Sequence, residues 1–131
     1  MKHYEFSTAA VVIAGSKAAR EFFEPILTER NQELTLVGFC DNGLRLVHLL
    51  CFPGVEESCD ISLREIAENA TDSVAFIIAH NHPSGIARPS LADVKLTKRL
   101  CVLAEALDVE LLDHLIFGGG DMISLREIAL L

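Results

Sequence analysis

The sequence predicts an α/β fold, a mixed β-sheet flanked by helices, and three observations carry that expectation. Two apolar, strand-like segments, Glu33 to Cys40 and Leu44 to Cys51, are joined by Asp41-Asn42-Gly43, a hairpin signal that makes part of the sheet antiparallel. Val74 to Ala79 is a continuous apolar run of strand length, the pattern of a strand covered on both faces. A polar loop, a helix and a second strand-like run from Val109 to Phe117 follow it, so this stretch forms a βαβ unit with parallel strands and a right-handed crossover.

The elements follow in order. Ser16 can cap a helix running to about Arg30, with Ala19, Phe22, Phe23, Ile26 and Leu27 on one face, and Pro25 inside it predicts a kink. In the hairpin, Asn42-Gly43 supplies the positive-φ residues of the turn. Ser62-x-x-Glu65 is a capping box opening a short helix that ends near Asn69. His80 to Pro89, rich in Pro and Gly, reads as a loop. Ser90 with Asp93 makes a second box before Leu91, Val94, Leu100, Leu103, Ala104 and Leu107, which recur at helical spacing. Gly118-Gly119-Gly120 breaks the last strand, and Ser124-x-x-Glu127 starts one more turn of helix.

Composition bounds what such a domain does. The 131 residues suit a single domain, read here as residues 1–131, and half of them are apolar, which excludes a disordered chain. Eleven Lys and Arg against nineteen Asp and Glu give a formal charge of -8, the wrong sign for a chain that holds phosphate backbones, so DNA binding by this chain alone is not expected. Lys95, Lys98 and Arg99 read as a solvated helix face. Apolar runs such as Ala9 to Gly15 fall far short of the roughly twenty residues that span a bilayer, and the acidic start Met1 to Phe6 does not suit a signal peptide. The expectation is a cytoplasmic protein with no membrane partner, and a homo-oligomer is left open. Cys40, Cys51, Cys59 and Cys101 form no C-x-x-C pair and lie in or beside apolar stretches, which favours buried thiols over disulfides or a zinc ribbon.

One stretch is unusual: His80-Asn81-His82-Pro83-Ser84-Gly85, followed by Pro89-Ser90-Leu91-Ala92-Asp93. Alternate residues of an extended chain point the same way, so His80 and His82 can offer imidazoles to one ion, with Asp93 on the first turn of the next helix. Two histidines and a carboxylate leave one position of a tetrahedral zinc open, as in catalytic sites, and water bound there is acidified. Each half alone also fits a plainer reading, two surface histidines and an ordinary helix start. Position favours the metal, because the pair lies just past the carboxyl end of a buried strand, where open α/β sheets put their ligand sites.

His80-x-His82-Pro83 with Ser90-x-x-Asp93 resembles the JAMM (MPN+) metalloprotease motif. The fuller string, HNHPSG, then PS and D, then LLDHLIFG from Leu111 to Gly118, resembles the RadC family of bacterial JAB-domain proteins, over a match from about Glu33 to the C-terminus. The resemblance implies a cytidine-deaminase-like JAB/MPN fold, a Zn(2+) ion held by His80, His82 and Asp93, and a catalytic water. It further implies a glutamate that polarises the water, at the position of Glu33, which otherwise reads as an exposed strand-end carboxylate. Ser90 is implied as the residue that stabilises the developing oxyanion, compatibly with its role as N-cap.

Three departures from the family stand out. The helix-hairpin-helix-like region that usually precedes the JAB domain has no room in these 131 residues. The basic, Pro-containing segment before the motif is replaced by acidic Val55 to Asp60 and Ser62-Leu63-Arg64-Glu65, and Ile86-Ala87-Arg88 replaces polar residues before Pro89. Two other readings fail. The residues that name HNH nucleases are dispersed, not adjacent, and a zinc deaminase needs H-x-E with P-C-x-x-C, which this chain lacks. His114 reads as a buried strand histidine held by neighbouring polar groups, and His3 and His48 carry no motif. The expected function is a zinc-dependent hydrolase of peptide or isopeptide bonds with a peptide or protein substrate. The alternative is a non-catalytic zinc-containing binding module associated with DNA repair or replication proteins.

Overall fold

Five strands hydrogen-bond in the order β2-β1-β3-β4-β5 in the computed structural model, which describes residues 11–28, 30–54 and 61–131. In chain order the elements are α1 (Ser16–Leu27), β1 (Leu34–Cys40), β2 (Leu46–Pro53), α2 (Leu63–Ala70), β3 (Ala75–Asn81), α3 (Leu91–Leu107), β4 (Glu110–Gly118) and β5 (Asp121–Ser124). β1 pairs antiparallel with β2 and with β3, β3 parallel with β4, and β4 antiparallel with β5. The sheet is mixed, as the hairpin and the βαβ unit predict. The expectations placed on Met1 to Phe6, His3, Val55 to Asp60 and Cys59 lie outside the described residues.

Alternation along the strands builds two cores, one on each face of the sheet. Leu34, Leu36, Cys40, Ala75, Ile77 and Ala79 face α1, which presents Ala19, Phe23 and Leu27 at helical spacing. Val37, Phe39, Phe76 and Ile78 face Ile66 of α2 and Leu100 and Ala104 of α3. Every residue of the central strands β1 and β3 is buried. Burying each large side chain stabilises the fold by about 1.5–3 kcal/mol, so the sheet is a rigid base for whatever its strand ends carry. Cys40 and Cys51 are buried and Cys101 half-buried, and burial with the nearby Asp41 pushes the Cys40 thiol up to about 11.

Local detail departs from the sequence expectations where a turn or an end is decided by one residue. Gly15, at φ 94°, stands at the N-cap of α1 in place of Ser16, and the helix stops at Leu27, two residues past Pro25. The hairpin forms, but its positive-φ residue is Leu44 and not Asn42 or Gly43. Leu44 N donates to Asp41 O at 3.0 Å, while Asp41 Oδ1 accepts from Gly43 N and Arg45 N, a three-residue loop with a left-handed final residue. β3 runs on through His80 and Asn81, which the sequence reading assigns to the loop. The ladder continues because His80 pairs with Thr35 and Ile116, and His82 N donates to Phe117 O at 2.7 Å. Gly119 and Gly120, both at positive φ, form a two-residue turn into β5, a strand the sequence reading leaves out. Residues 125–129 form turns in place of the expected last turn of helix.

The βαβ unit also carries an irregularity. β3 and β4 are in step at Phe76 and Leu111, but Ile78 pairs with His114, so β4 spends one extra residue between them. Leu111 packs with the α2/α3 core, whereas Leu115 and Phe117 pack with the α1 core, a change of face between evenly spaced residues that a bulge produces. Arg126 captures the backbone it frees: its guanidinium donates to Leu111 O and Leu112 O, and Asp113 accepts from His114 N, Arg126 N and the Ser124 hydroxyl. After the bulge, His114 faces α3.

Candidate metal centre

The alternation that buries Phe76 and Ile78 under α3 brings His80 to the α3 side at the end of β3. His82 follows just past the strand, in a loop whose turn uses Gly85 at φ 88°. Ser90 and Asp93 form a complete capping box at the start of α3: Ser90 Oγ accepts from Asp93 N at 3.0 Å, and Asp93 Oδ2 accepts from Ser90 N at 2.9 Å. The box turns the Asp93 carboxylate back toward the strand ends.

These elements bring His80, His82 and Asp93 together. His80 Nε2 lies 3.0 Å from His82 Nε2 and 3.2 Å from Asp93 Oδ1, and His82 Nε2 lies 3.1 Å from Asp93 Oδ2. Glu33, the residue before β1, stands at the same end with Oε1 3.8 Å from His80 Nε2. Ser90 is exposed at the rim. Its oxygen is engaged by Asp93 N, and its hydroxyl proton is not needed for the cap.

The donor set fits a cation. His82 Nδ1 lies 3.0 Å from Ile86 O, and a carbonyl only accepts, so neutral His82 keeps its proton on Nδ1 and a bare lone pair on Nε2. That lone pair, His80 Nε2 and both Asp93 oxygens crowd one point, where only a proton or a metal ion removes the repulsion. A hydrogen bond with Asp93 holds the His82 imidazolium above its usual range, against partial desolvation. Burial pushes the Asp93 carboxyl up, but its hydrogen bonds with His80 and His82 prevail and hold it well below the usual carboxylate range. Among the described residues two groups offer ligand atoms close enough for one ion: Glu33, His80 and His82, and His80, Asp93 and His114.

Three residues of the surroundings were not legible as part of the site. Asn81, between the histidines, faces the other way and is buried; its side chain accepts from Leu34 N at 2.7 Å and donates to Gln32 O at 3.1 Å. His114 Nε2 lies 2.8 Å from His80 Nδ1, and its Nδ1 lies 2.7 Å from Thr97 Oγ1. Burial and the neighbouring His80 push the His114 imidazole down to about 3, so it is neutral. The neighbouring polar groups expected of His114 are therefore Thr97 and a residue of the centre itself. A cavity of about 460 Å³ opens beside the His82 loop, lined by Ile86, Ala87, Arg88, Asp121, Met122 and Ile123. Ile86 thus borders the cavity while its carbonyl orients His82.

Residues 13–130 match the RadC-like JAB domain. The chain belongs to the RadC-like JAB domain family. UPF0758 proteins of two strains of Acidithiobacillus ferrooxidans are each 40% identical to it over 111 residues, covering 82% of this chain and 50% of the relative. A UPF0758 protein of Aliivibrio salmonicida is 36% identical with the same coverage. The chain spans about half the length of these relatives. Among the described residues, no helix of this JAB domain is long and apolar enough to cross a membrane.

Proposed function

We propose that this JAB domain is a zinc-dependent hydrolase of peptide or isopeptide bonds. The observation that carries the reading is the convergence of His80 Nε2, His82 Nε2 and the Asp93 carboxylate within 3.0–3.2 Å, with the Glu33 carboxylate at the same end of the sheet. His80, His82 and Asp93 are the ligands in this reading, and nitrogen with carboxylate oxygen is a donor set that zinc accepts. A zinc ion with an open position supplies an acidified water and a Lewis acid for a substrate carbonyl.

The remaining steps belong to the protein. Glu33 takes a proton from the attacking water and returns it to the leaving amine. Ser90, whose oxygen is already engaged as the cap, donates its hydroxyl proton to the oxyanion. The cavity bordered by Ile86 and Met122 receives the substrate chain, and the net charge of -8 favours a protein over duplex DNA.

Metal analysis combined with peptide-library cleavage tests this. The purified chain should hold about one zinc, and Glu33→Gln should keep that zinc while losing about 10²- to 10⁴-fold in turnover of a peptide cleaved by the wild type. Cleavage at the wild-type rate by a zinc-loaded Gln variant removes Glu33 from the role. Zinc-loaded wild type that cleaves no peptide or isopeptide, yet holds a partner in a way that survives Glu33→Gln, makes the binding module the better account.

A further inference from the structure

We propose that Thr97 and His114 are positioning residues that fix His80 in the tautomer whose Nε2 lone pair faces His82 and Asp93. The inference rests on the metal-centre reading above and deepens it.

The argument follows the protons from one end. Thr97 Oγ1 donates to Asp93 O at 2.8 Å, one turn back along α3, and a hydroxyl has a single proton to give. Toward His114 Nδ1, 2.7 Å away, Thr97 Oγ1 is therefore the acceptor, and His114 carries its proton on Nδ1. Neutral His114 then presents a lone pair on Nε2, which accepts from His80 Nδ1 at 2.8 Å. With Nδ1 protonated, His80 keeps a bare Nε2 at the point where His82 Nε2 and Asp93 converge. Thr97 and His114 are fully buried, so no water competes for these bonds. The reverse arrangement turns the Thr97 hydroxyl away from Asp93 O and puts a proton on His80 Nε2, where a ligand needs its lone pair.

The fold invests in this chain. Asp93 and Thr97 lie four residues apart on α3, so one aspartate supplies its carboxylate to the centre and its carbonyl to the relay. In β4 the extra residue is bulged, so that Leu111 and His114 both face α3, and Asp113 and Arg126 hold that bulge. His82 is oriented separately, by Ile86 O. Outer partners of this kind are typically worth about 10- to 100-fold in metal affinity.

Two measurements on the full chain test the relay. Nitrogen-15 NMR of the imidazoles in zinc-free protein at alkaline pH should find His80 protonated on Nδ1 and bare on Nε2. Zinc affinity, read by competition with a fluorescent chelator, should fall about 10- to 100-fold in His114→Leu. His114→Gln should recover most of it, because an amide oxygen can accept from His80 Nδ1. Thr97→Val should lose affinity and Thr97→Ser restore it. Wild-type affinity in a folded His114→Leu variant, a proton on His80 Nε2 in the zinc-free wild type, or zinc binding directly to His114 Nε2 would each overturn the proposal. If the Leu variant does not fold, the Thr97 pair and the NMR measurement decide. If wild type takes up no zinc, the metal reading fails, and the His80 tautomer still decides the relay.

Discussion

The backbone N–H of Leu34 donates to the Asn81 side-chain oxygen at 2.7 Å, tying the first residue of β1 to the last residue of β3. The same amide donates to Gln32 O, so Asn81 grips the backbone on both sides of Glu33. Asn81→Ala should cost about 1–3 kcal/mol, since Leu34 N is left without its partner in a buried setting. Zinc content should be unchanged while turnover falls with the loosened Glu33. Urea unfolding, metal analysis and a cleavage assay on one preparation check this; wild-type turnover would show that Glu33 is held by other means.

Chelation should lower the melting temperature of zinc-loaded protein. Zinc at 100 times its Kd stabilises by about 2.7 kcal/mol, on the order of 10 °C for a chain of this size. His82→Ala should bind little zinc and should show no such drop. Full zinc occupancy in that variant would remove His82 from the ligand set.

Zinc-free protein should lose stability in acid because of His114. Its folded value near 3 lies below the ordinary histidine value of about 6.5, so between these the unfolded chain binds one more proton and stability falls with pH, by about 1.4 kcal/mol per unit. His82 is raised, so its contribution is complete below about 6.5 and is lost only as pH rises through its folded value. Asp93 is lowered, and its contribution is complete above about 3.9 and lost as pH falls through its folded value. From pH 6 to 4.5 the slope from these three therefore belongs to His114, about 2 kcal/mol in all. Urea midpoints in chelator should show wild type losing this much more than His114→Gln over that interval, and parallel lines would contradict it.

Gly119→Ala should disturb the centre from a distance. Gly119 sits at φ 59°, which alone costs an alanine about 1–2 kcal/mol, and a Cβ there would collide with Gly85 O. The loop holding His82 must then move off the β4–β5 turn. The expected result is a loss of 2 kcal/mol or more, by order of magnitude, together with weaker zinc binding. Calorimetry and chelator competition read the two effects, and unchanged zinc affinity would uncouple the turn from the centre.

How much of this was legible in the sequence depends on how local each determinant is. Ser90 and Asp93 lie three residues apart, and His80 and His82 two apart, so spacing alone predicts their company. The turn type at Leu44 is settled by the irregular pairing of β1 and β2 near Cys40, which no dipeptide preference encodes. β5 is four residues long with no interior alternation to read, and it exists because Gly119 and Gly120 fold it back on β4. Asn81 could have been found by asking where a buried amide on the face opposite the histidines finds its partners. Thr97 and His114 could not, because their meeting depends on an insertion in β4 that leaves no trace in hydrophobic period.

That single extra residue behaves as a phase shift. Were the same residues to run as an even ladder, Leu111, Asp113 and Leu115 would share the α3 side, and His114 would point into the apolar layer under α1. Forcing all of these residues into an even ladder would exchange every side chain downstream of Leu112 between the two sides of the sheet. Leu115 and Phe117 would then be driven toward the histidines, and a carboxylate would replace the imidazole as the group nearest Thr97. The bulge is therefore what keeps His114 under α3 in a strand of this length, and a sequence that keeps the HNHPSG string but loses one residue at 112 would hold the imidazole there on an even ladder.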